Sequence, residues 1–323
     1  MPPTLCRLHK ISYLCSPNQN YTHVTPKILI TGALGQLGTE VREAFEAVAP
    51  GSTVSTDIAP ADSDAATGIL NYFTLDITDA DAVADALRDA DFTHIINCAA
   101  YTAVDRAEDE KIECTRINVD AVRNLAAAAA DNGIKMLHIS TDYVFDGDGH
   151  RPYTESDKTA PTSHYGATKR KGETALMGLL PDAIIIRTAW MYSAHGHNFV
   201  RTILAKAKTG ATLRVVADQI GTPTYAADLA DMIVRMVMAP QWLEGIYNFA
   251  NEGVTSWYDF ACAIVRLARI DDVNVIPVSS EDYPTAARRP YYSVLDKSKI
   301  KASYSVTIPN WFDSLERCMK KLV

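Results

Sequence analysis

The sequence holds a tyrosine and a lysine whose types and spacing could supply acid catalysis to a carbonyl group. Tyr165 and Lys169 are four residues apart, so on a helix they share one face, one turn from each other. A phenol can protonate a carbonyl oxygen, but its ordinary pKa of about 10 makes it a weak acid at neutral pH. An ammonium group about 4 Å away stabilises a phenolate by roughly 4 kcal/mol at an effective dielectric constant of about 20. We therefore expect Lys169 to lower the pKa of Tyr165 towards neutrality, although a packed tyrosine beside a solvated lysine has the same spacing.

A hydroxyl and a carboxyl group precede this pair, at the end of an apolar strand predicted over residues 135–140. In open α/β sheets, ligands bind beyond the carboxyl ends of the strands. Thr141 is therefore placed where its hydroxyl can hold a substrate carbonyl, and Asp142 beside it is a candidate for substrate binding. Thr141 and Tyr165 then form a hydroxyl pair that can stabilise negative charge on one oxygen atom.

A glycine-rich turn predicts a phosphate-binding site. The apolar strand over residues 27–31 leads directly into Gly32-Ala-Leu-Gly-Gln-Leu-Gly38, and a helix with apolar residues at helical spacing follows. Glycines allow the tight turn and the close backbone approach by which a pyrophosphate lies on the helix N-terminus. An ordinary strand-to-helix turn is the alternative, but strand, turn and helix occur in the order that a dinucleotide site requires. The turn residues that we expect to bind the cofactor are Gly32, Gly35, Gln36, Leu37 and Gly38.

Later strand ends extend the predicted dinucleotide site. Asp57 ends the second strand, where a carboxylate usually accepts from the ribose hydroxyls of NADH, whereas NADPH pockets prefer a basic residue. A solvated loop acid is the alternative for Asp57. Asp76 and Ile77 are candidates for the adenine end of the cofactor. The small residues Ala99 and Ala100 follow a buried strand and let a dinucleotide lie across the sheet edge.

The alternation of strands and helices predicts the fold class. Repeated βα units indicate an α/β protein with a Rossmann-type doubly wound parallel sheet, and 323 residues suffice for about two domains. We expect residues 27–186 to form the dinucleotide-binding domain and residues 187–323 mainly a smaller α/β substrate-binding domain, with interleaved segments. Residues 1–26 contain basic residues but no acid, and we expect a disordered extension there, with an organelle-targeting segment as the alternative.

Composition excludes several classes of function. The net charge of −8 argues against a non-specific nucleic-acid surface or an anionic-membrane surface, and no apolar run approaches the length of a membrane span. The six cysteines are scattered without a Cys-x-x-Cys pair, so we expect neither a zinc cage nor a disulfide framework and favour a reducing, cytoplasmic location. His195 and His197 have no third ligand nearby in the sequence, and we expect no metal there.

Longer blocks of sequence resemble one family. The glycine turn, the Ser-Thr-Asp segment and the Tyr-x-x-x-Lys pair together look like an extended short-chain dehydrogenase/reductase. Within that group the chain closely resembles the dTDP-4-dehydrorhamnose reductase family, and the similarity extends from about Lys27 to the C-terminus. The blocks that carry it include Thr31-Gly-Ala-Leu-Gly-Gln-Leu-Gly38, Asn97-Cys-Ala-Ala-Tyr-Thr-Ala-Val-Asp105, Ser140-Thr-Asp-Tyr-Val-Phe-Asp-Gly147, Arg187-Thr-Ala-Trp190 and Gly221-Thr-Pro-Thr224.

The resemblance implies an activity and a cofactor. It implies reduction of the C4 ketone of dTDP-4-dehydro-6-deoxy-L-mannose to dTDP-L-rhamnose, with hydride from NADPH or NADH. In that reaction Tyr165 would protonate the nascent alkoxide, and Thr141 would bond the carbonyl oxygen. Lys169 would lower the pKa of Tyr165 and hold the nicotinamide ribose.

The resemblance also places residues around a nucleotide-sugar substrate. Tyr101, Thr102 and Val104 continue the family's substrate-loop pattern, with Tyr101 towards the cofactor. Trp190 would lie against the sugar, since an indole face suits the apolar side of a deoxyhexose, although a core tryptophan is the alternative. A nucleotide diphosphate needs cationic partners, so Arg288 and Arg289 are candidates for that role, and Arg288 is the one we assign to the substrate, with solvated surface arginines as the alternative.

One departure from the family concerns a metal. Some bacterial members form dimers through a magnesium site built from glutamates. Glu40 fits one such position, but the residue three beyond Thr224 is Ala227 rather than an acid. We therefore expect no metal-bridged dimer and leave any homodimer unassigned.

Two other functions share this sequence pattern, because a fold does not settle a function. One is another 4-ketosugar reductase or a nucleotide-sugar epimerase, which would use the same Tyr–Lys pair. The other is a regulatory subunit that binds a dinucleotide without turnover, like the β subunit of methionine adenosyltransferase, which is similar to this family. Thr141, Trp190 and the intact Tyr-Thr-Ala-Val-Asp loop over residues 101–105 favour the reductase.

Overall fold

The strands and helices alternate along most of the chain, as the βα rhythm predicts. The computed structural model describes residues 26–323, and apart from Pro26 the extension predicted over residues 1–26 lies outside them. The strands are β1 (Ile28–Thr31), β2 (Thr53–Asp57), β3 (Tyr72–Thr74), β4 (His94–Asn97), β5 (Lys135–Thr141), β6 (Ile184–Thr188), β7 (Met191–Tyr192), β8 (Leu213–Val216), β9 (Ile220–Gly221), β10 (Thr224–Tyr225), β11 (Gly245–Asn248), β12 (Thr255–Ser256) and β13 (Val275–Val278).

The bounds of the α-helices agree only in part with those that apolar spacing and caps predict. They are α1 (Gln36–Val48), α2 (Ala80–Leu87), α3 (Lys111–Thr115), α4 (Ala121–Asp131), α5 (His164–Leu179), α6 (Phe199–Ala207), α7 (Ala226–Val237), α8 (Trp257–Leu267), α9 (Ser298–Tyr304) and α10 (Trp311–Leu322). Within residues 26–323, no helix combines the length and the apolar character that crossing a bilayer requires.

Seven strands form one parallel sheet in the order β11, β6, β5, β4, β1, β2, β3. From β1 the chain proceeds outwards to β2 and β3, and then it returns to pair β4 with the other edge of β1. The carboxyl ends of β1 and β4 therefore flank the point where the strand order reverses, which is where open α/β sheets bind ligands. The predicted Rossmann-type doubly wound sheet is confirmed.

Helices cover both faces of the sheet. Successive side chains of a strand point to opposite faces, and accordingly Ile28 and Ile30 pack in the core cluster of α1 and α7. Leu29 packs in the other cluster, with α2, α4 and α5. These three residues of β1, and Thr31 after them, are fully buried, which explains why the strand begins with an uninterrupted apolar run.

The chain after β6 builds a smaller unit beside the sheet. Its two-stranded pairs are β8 with β13, β7 with β10 and β9 with β12. Helices α6, α8 and α10 share one apolar cluster around Phe260 and Leu315. In contrast, β11 joins the central sheet and α7 packs against α1. The domain boundary after residue 186 stays a prediction, with these two later elements packed on the first domain.

Candidate active site

A cleft of about 310 Å³ opens at the carboxyl ends of β1, β2 and β4. Helix α1 starts there with Gly35 as its N-cap, no side chain caps it, and its first turn carries no acid. Unpaired N–H groups and the positive end of the helix dipole therefore suit a phosphate. The predicted cofactor residues that line the cleft are Gly32, Gly35, Gln36, Leu37, Gly38, Asp57, Asp76, Ile77, Ala99 and Ala100.

Gly32 and Gly38 make the turn possible because neither position has room for a side chain. Gly32 has φ +64°, and a Cβ atom there would lie 2.6 Å from the Ala99 nitrogen. A Cβ atom at Gly38 would lie 2.2 Å from the Gly32 carbonyl oxygen. The glycine spacing thus permits the close packing of strand, turn and helix, and it leaves backbone N–H groups for a ligand.

Two carboxylates lie on the walls of this cleft. Asp57 is held at the glycine turn, where its Oδ2 accepts from Leu34 N–H at 3.1 Å and its Oδ1 from Ile58 N–H at 2.8 Å. Asp76 accepts from the Thr78 hydroxyl at 2.7 Å. Each carboxylate oxygen has a second lone pair, so both side chains can still accept from ribose hydroxyls.

A second cavity, of about 470 Å³, brings together the predicted catalytic residues Thr141, Tyr165 and Lys169. The Ser163 hydroxyl caps α5 by accepting from Gly166 N–H at 3.1 Å. Tyr165 therefore lies in the first helical turn and Lys169 one turn later, both on the buried face. Thr141 reaches the same cavity as the last residue of β5.

The cleft and the cavity adjoin each other. The residues that line both are Gln36, Leu37, Cys98, Ala100, Thr102 and Met191. A long ligand that starts at the glycine turn can therefore extend into the cavity that holds Tyr165. This continuity is what a dinucleotide-dependent reaction on a second ligand requires.

The pKa of Tyr165 is raised rather than lowered. Burial excludes water from the phenol and raises its pKa, the nearby Thr141 hydroxyl opposes that rise, and the negative charge of Asp142 adds to it. The predicted shift of the Tyr165 pKa towards neutrality is therefore wrong. Lys169 Nζ donates to the Ile139 carbonyl oxygen at 2.6 Å. Tyr165 is therefore protonated at neutral pH, which is the form that a proton donor needs.

Lys169 is the buried cation of the cavity. Burial lowers the pKa of Lys169 to about 8, although the negative charge of Glu173 opposes the shift. Its Nζ lies 3.3 Å from Nε2 of His138 on β5. A lysine with this pKa exchanges protons close to physiological pH.

Asp142 carries a second shifted pKa. Burial is the main cause and raises the Asp142 pKa to about 7, against the hydrogen bond from the Thr141 hydroxyl at 2.9 Å. The Ser293 hydroxyl is close enough to lower the pKa, but Oδ2 makes no hydrogen bond of normal geometry within residues 26–323. A buried oxygen without a partner on a cavity wall is suited to a substrate hydroxyl.

Trp190 forms one wall of the cavity on a strained backbone. Its φ of 46° lies in the left-handed region that bulky residues rarely adopt. The indole ring stacks on Trp257 with ring centroids 3.7 Å apart, and the Trp190 carbonyl accepts from Thr224 N–H at 3.2 Å. Contacts from the second half of the chain therefore fix the ring on the cavity wall, and its predicted contact with a sugar stays a prediction.

Two predicted residues line neither the cleft nor the cavity. The Tyr101 N–H donates to Asn118 at 2.9 Å, and the Tyr101 hydroxyl turns to Glu110. Arg288 pairs with Asp148 at 2.8 Å, and both side chains are about half exposed. The structure therefore brings neither Tyr101 nor Arg288 to the cofactor cleft or to the catalytic cavity.

The other residues of the substrate loop do reach the cavity. Thr102 and Val104 line it, and their predicted contact with the substrate stays a prediction. Arg289, rather than Arg288, contacts this substrate loop. Its guanidinium pairs with Asp105 and donates to the Tyr143 hydroxyl at 3.0 Å. This ion pair joins the loop between β13 and α9 to the loop after β4. The sequence pattern alone could not distinguish this role of Asp105 from that of a helix cap.

Sequence reasoning missed residues that join the two halves of the chain. Asn198 Nδ2 donates to Gln36 Oε1 at 3.0 Å and to the Ser193 carbonyl oxygen at 2.9 Å. Asn198 also caps α6, and that cap is detectable because an asparagine precedes an amphipathic helix. No local sequence feature predicts its contact with Gln36, and none predicts that Arg116 lines the cleft at the glycine turn.

The glutamate at the family's magnesium position lies among other ionisable groups. Glu40, Glu43 and His195 have ligand atoms within 4.8 Å of one another, so the expectation that His195 lacks further ligands is wrong. Lys321 Nζ, however, already lies 3.6 Å from Glu40 Oε2. An ammonium group and a divalent cation repel each other at this range, so Lys321 would compete with a metal ion for this carboxylate, and the absence of a metal-bridged dimer stays a prediction.

Comparison with known proteins gives consistent relatives. The RmlD substrate binding domain family matches residues 26–323. A dTDP-4-dehydrorhamnose reductase of Aggregatibacter actinomycetemcomitans is 38% identical over 305 residues, which cover 90% of this chain and 97% of that protein. The solved dTDP-4-dehydrorhamnose reductase of Clostridium acetobutylicum matches with a TM-score of 0.82 and 39% identity over 91% of this chain and 99% of that chain. That of Bacillus anthracis, solved in complex with NADP, has a TM-score of 0.79 and 37% identity over 91% and 98% of the two chains.

Proposed function

The chain belongs to the dTDP-4-dehydrorhamnose reductase family, and we propose that Thr141, Tyr165 and Lys169 carry out its reaction. The protein is an NAD(P)H-dependent oxidoreductase that reduces the C4 ketone of dTDP-4-dehydro-6-deoxy-L-mannose to dTDP-L-rhamnose. One observation supports these three residues above all. A protonated phenol, a hydroxyl and a buried lysine line one cavity, and that cavity adjoins the cleft at the glycine turn.

Tyr165 is the proton donor in this proposal. When bound, the nicotinamide cofactor supplies hydride to the ketone carbon. The Tyr165 O–H then protonates the oxygen that gains negative charge, while the Thr141 hydroxyl stabilises that oxygen by a hydrogen bond. An alkoxide is about as basic as hydroxide, whose conjugate acid has a pKa of about 15.7. Proton transfer from Tyr165 is therefore favourable even with its raised pKa.

The residues present fit a dinucleotide along the whole cleft. The free N–H groups at the start of α1 would hold the pyrophosphate, and Asp57 would accept from ribose hydroxyls. Asp76 and Ile77 would lie at the adenine end, and Lys169 would hold the nicotinamide ribose. NADPH and NADH both remain in the proposal, with Asp57 favouring NADH.

The nucleotide sugar would bind on the far side of the same cavity. Trp190 offers an indole face to the apolar side of the deoxyhexose. Asp142, with its unpartnered Oδ2, would bond a sugar hydroxyl. Thr102 and Val104 would close the site from the loop after β4. Arg288 has no part in this proposal, since its guanidinium pairs with Asp148.

We further propose a cytoplasmic enzyme that acts on a small molecule, without a nucleic-acid or membrane partner. The four cysteines among residues 26–323 are free thiols, which suits a reducing compartment, and the net charge of −8 disfavours polyanionic partners. Any homodimer would form without a shared magnesium ion, because Lys321 neutralises Glu40.

The test of this function is cofactor oxidation by the purified protein with dTDP-4-dehydro-6-deoxy-L-mannose, with the product identified by NMR. We expect one NADPH or NADH consumed for each dTDP-L-rhamnose formed. Turnover that returns the cofactor unchanged would indicate an epimerase instead. Tight cofactor binding without any turnover would indicate a regulatory dinucleotide-binding subunit.

A further inference from the structure

A chain of buried hydrogen bonds links the glycine turn to Lys169. The Thr31 hydroxyl donates to Asn97 Oδ1 at 2.7 Å, and Ala99 N–H donates to the same oxygen at 3.1 Å. Asn97 Nδ2 lies 3.0 Å from His138 Nδ1, and His138 Nε2 lies 3.3 Å from Lys169 Nζ. Thr31, Asn97 and His138 are at most 1% exposed and Lys169 is 2% exposed. Water therefore does not compete for these contacts.

One backbone amide fixes the direction of the hydrogen bonds in this series. Ala99 N–H can only donate, so the Asn97 atom beside it is the carbonyl oxygen and the amide nitrogen faces His138. An amide nitrogen can only donate as well, so His138 Nδ1 accepts and carries no proton. Burial and the positive charge of Lys169 lower the pKa of His138 far below its usual value. The imidazole is therefore neutral, and its single proton is on Nε2.

We propose that His138 is a positioning residue for the reduction, whose Nε2–H faces Lys169 and stabilises the uncharged amine of that lysine. An ammonium group offers only donors, so against Nε2–H it would place two donors opposite each other. An amine has a lone pair that accepts the His138 proton. Lys169 consequently gives up a proton more readily than a lysine held only by acceptors would.

This inference rests on the proposed function, in which Tyr165 loses its proton to the alkoxide and becomes a phenolate. One N–H bond of the Lys169 ammonium then breaks, and its proton forms the new O–H bond of Tyr165 across the cavity that both residues line. The electron pair left on the Lys169 nitrogen accepts Nε2–H of His138. Solvent that enters the cavity lined by Lys169 protonates the lysine again before the next cycle, so each turnover takes up one proton and leaves both residues unchanged.

Other ionisable groups around Lys169 do not replace His138 in this role. Glu173 on α5 favours the ammonium form, but its carboxylate is paired with Arg187 at 2.8 Å. Cys98 after β4 and Cys114 on α3 also face the lysine. Burial raises the pKa of Cys98 to about 12 and raises that of Cys114 too, so both are neutral thiols near pH 8. The tautomer of His138 is therefore the feature that disfavours the ammonium form besides burial itself.

The direct test is NMR of the full-length protein labelled with ¹⁵N-histidine, without substrate. His138→Phe identifies the His138 signals by their disappearance. We expect a protonated Nε2 and an unprotonated Nδ1 at every pH between about 6 and about 9, the range between the usual histidine and lysine pKa values. A proton on Nδ1, or a charged imidazolium, would overturn the proposal. The measurement needs no turnover, so its outcome is separate from the failure or success of the reductase assignment.

Asn97→Asp tests the consequence for Lys169. A carboxylate at residue 97 accepts from His138 Nδ1–H, so the imidazole proton moves to Nδ1 and Nε2 becomes an acceptor for the ammonium group. The titration of Lys169, followed in protein with ¹³Cε-labelled lysine, should move upward by about one pH unit or more, and the alkaline limb of the kcat profile should move with it. Asn118→Asp adds the same charge at another buried site but does not contact His138, so the His138 tautomer should persist there. An unchanged tautomer and lysine titration in folded Asn97→Asp protein would contradict the proposal.

Discussion

The cleft at the glycine turn and the catalytic cavity lie side by side, but they are built from different parts of the chain. The cleft uses backbone from one short segment, in which Gly32 and Gly38 remove the side chains that would block it. The cavity uses side chains from distant segments, including Thr141 at the end of β5, Tyr165 on α5 and Trp190 after β6. Cofactor binding should therefore depend on backbone shape, whereas turnover should depend on single side-chain atoms.

The two regions also differ in where unfavourable energy is concentrated. In the cleft, glycine adopts the left-handed conformation at little cost, as Gly32 does with φ +64°. In the cavity, a tryptophan adopts that region, and Asp142 and Lys169 are buried with shifted pKa values. Backbone strain of this kind costs on the order of 1–3 kcal/mol, and a shifted pKa costs about 1.4 kcal/mol per pKa unit. Both persist where chemistry needs them. The comparison predicts that some cavity substitutions stabilise the fold while they impair the reaction.

Tyr165→Phe should have the largest effect, and it should impair the cavity but not the cleft. Removing the phenolic proton leaves no acid for the alkoxide, so kcat should fall by about 10²–10⁴-fold. The dissociation constant of NADPH, measured by fluorescence titration, should change by less than about twofold, since the cleft is intact. The control is Tyr247→Phe in the sheet-edge strand β11, which loses a hydroxyl bonded to the Leu243 carbonyl. This variant should keep full turnover. Undiminished ketone reduction by Tyr165→Phe would remove Tyr165 from its role.

Asp142→Asn should sharpen the comparison by stabilising the fold. The folded-state pKa of Asp142 is raised to about 7 from 3.8, so the folded state holds a proton that the unfolded state releases. Wild-type stability should thus decline relative to the variant as pH rises from about 4 to about 7, by up to roughly 4 kcal/mol at about 1.4 kcal/mol per pKa unit. Urea unfolding at several pH values measures this slope. Asp148→Asn should not reproduce it, because water solvates that half-exposed carboxylate in both states.

Gly38→Ala should break the cleft while it leaves the cavity in place. The new methyl group would lie 2.2 Å from the Gly32 carbonyl oxygen, so the turn must move. Strain of about 1–3 kcal/mol corresponds to a loss of roughly 5- to 150-fold in NADPH affinity. Gly178→Ala is the matched control, since a Cβ atom there meets nothing within 4 Å and the residue lies inside α5. Equal NADPH affinities in the two variants would show that the turn does not bind the cofactor.

Features with a local cause could be predicted from the sequence. The glycine spacing predicted the turn because Gly32 and Gly38 are required by contacts within one βα unit. The positions of Asp57 and Ala99 followed from the rule that strand ends meet at one edge of a parallel sheet. The face shared by Tyr165 and Lys169 followed from helical spacing alone.

Features that depend on packing could not be predicted. The direction of the Lys169 ammonium group depends on the Ile139 carbonyl, and the raised pKa of Tyr165 depends on burial. The Tyr101 side chain points to Glu110, although its neighbours Thr102 and Val104 line the cavity. The bond between Asn198 and Gln36 joins residues 162 positions apart. No periodicity or motif reports a contact of that separation.

Asp57→Asn should have the smallest effect, and it tests how the cleft distinguishes NADH from NADPH. The carboxylate at the end of β2 suits ribose hydroxyls and repels a 2′-phosphate, whereas an amide removes the charge and can still accept from Leu34 N–H. The ratio of kcat/KM for NADH to that for NADPH should fall by about tenfold, which corresponds to about 1.4 kcal/mol. Because general damage to the fold affects both cofactors alike, the ratio isolates recognition of the ribose. An unchanged ratio would mean that the Asp57 carboxylate serves only to hold the glycine turn.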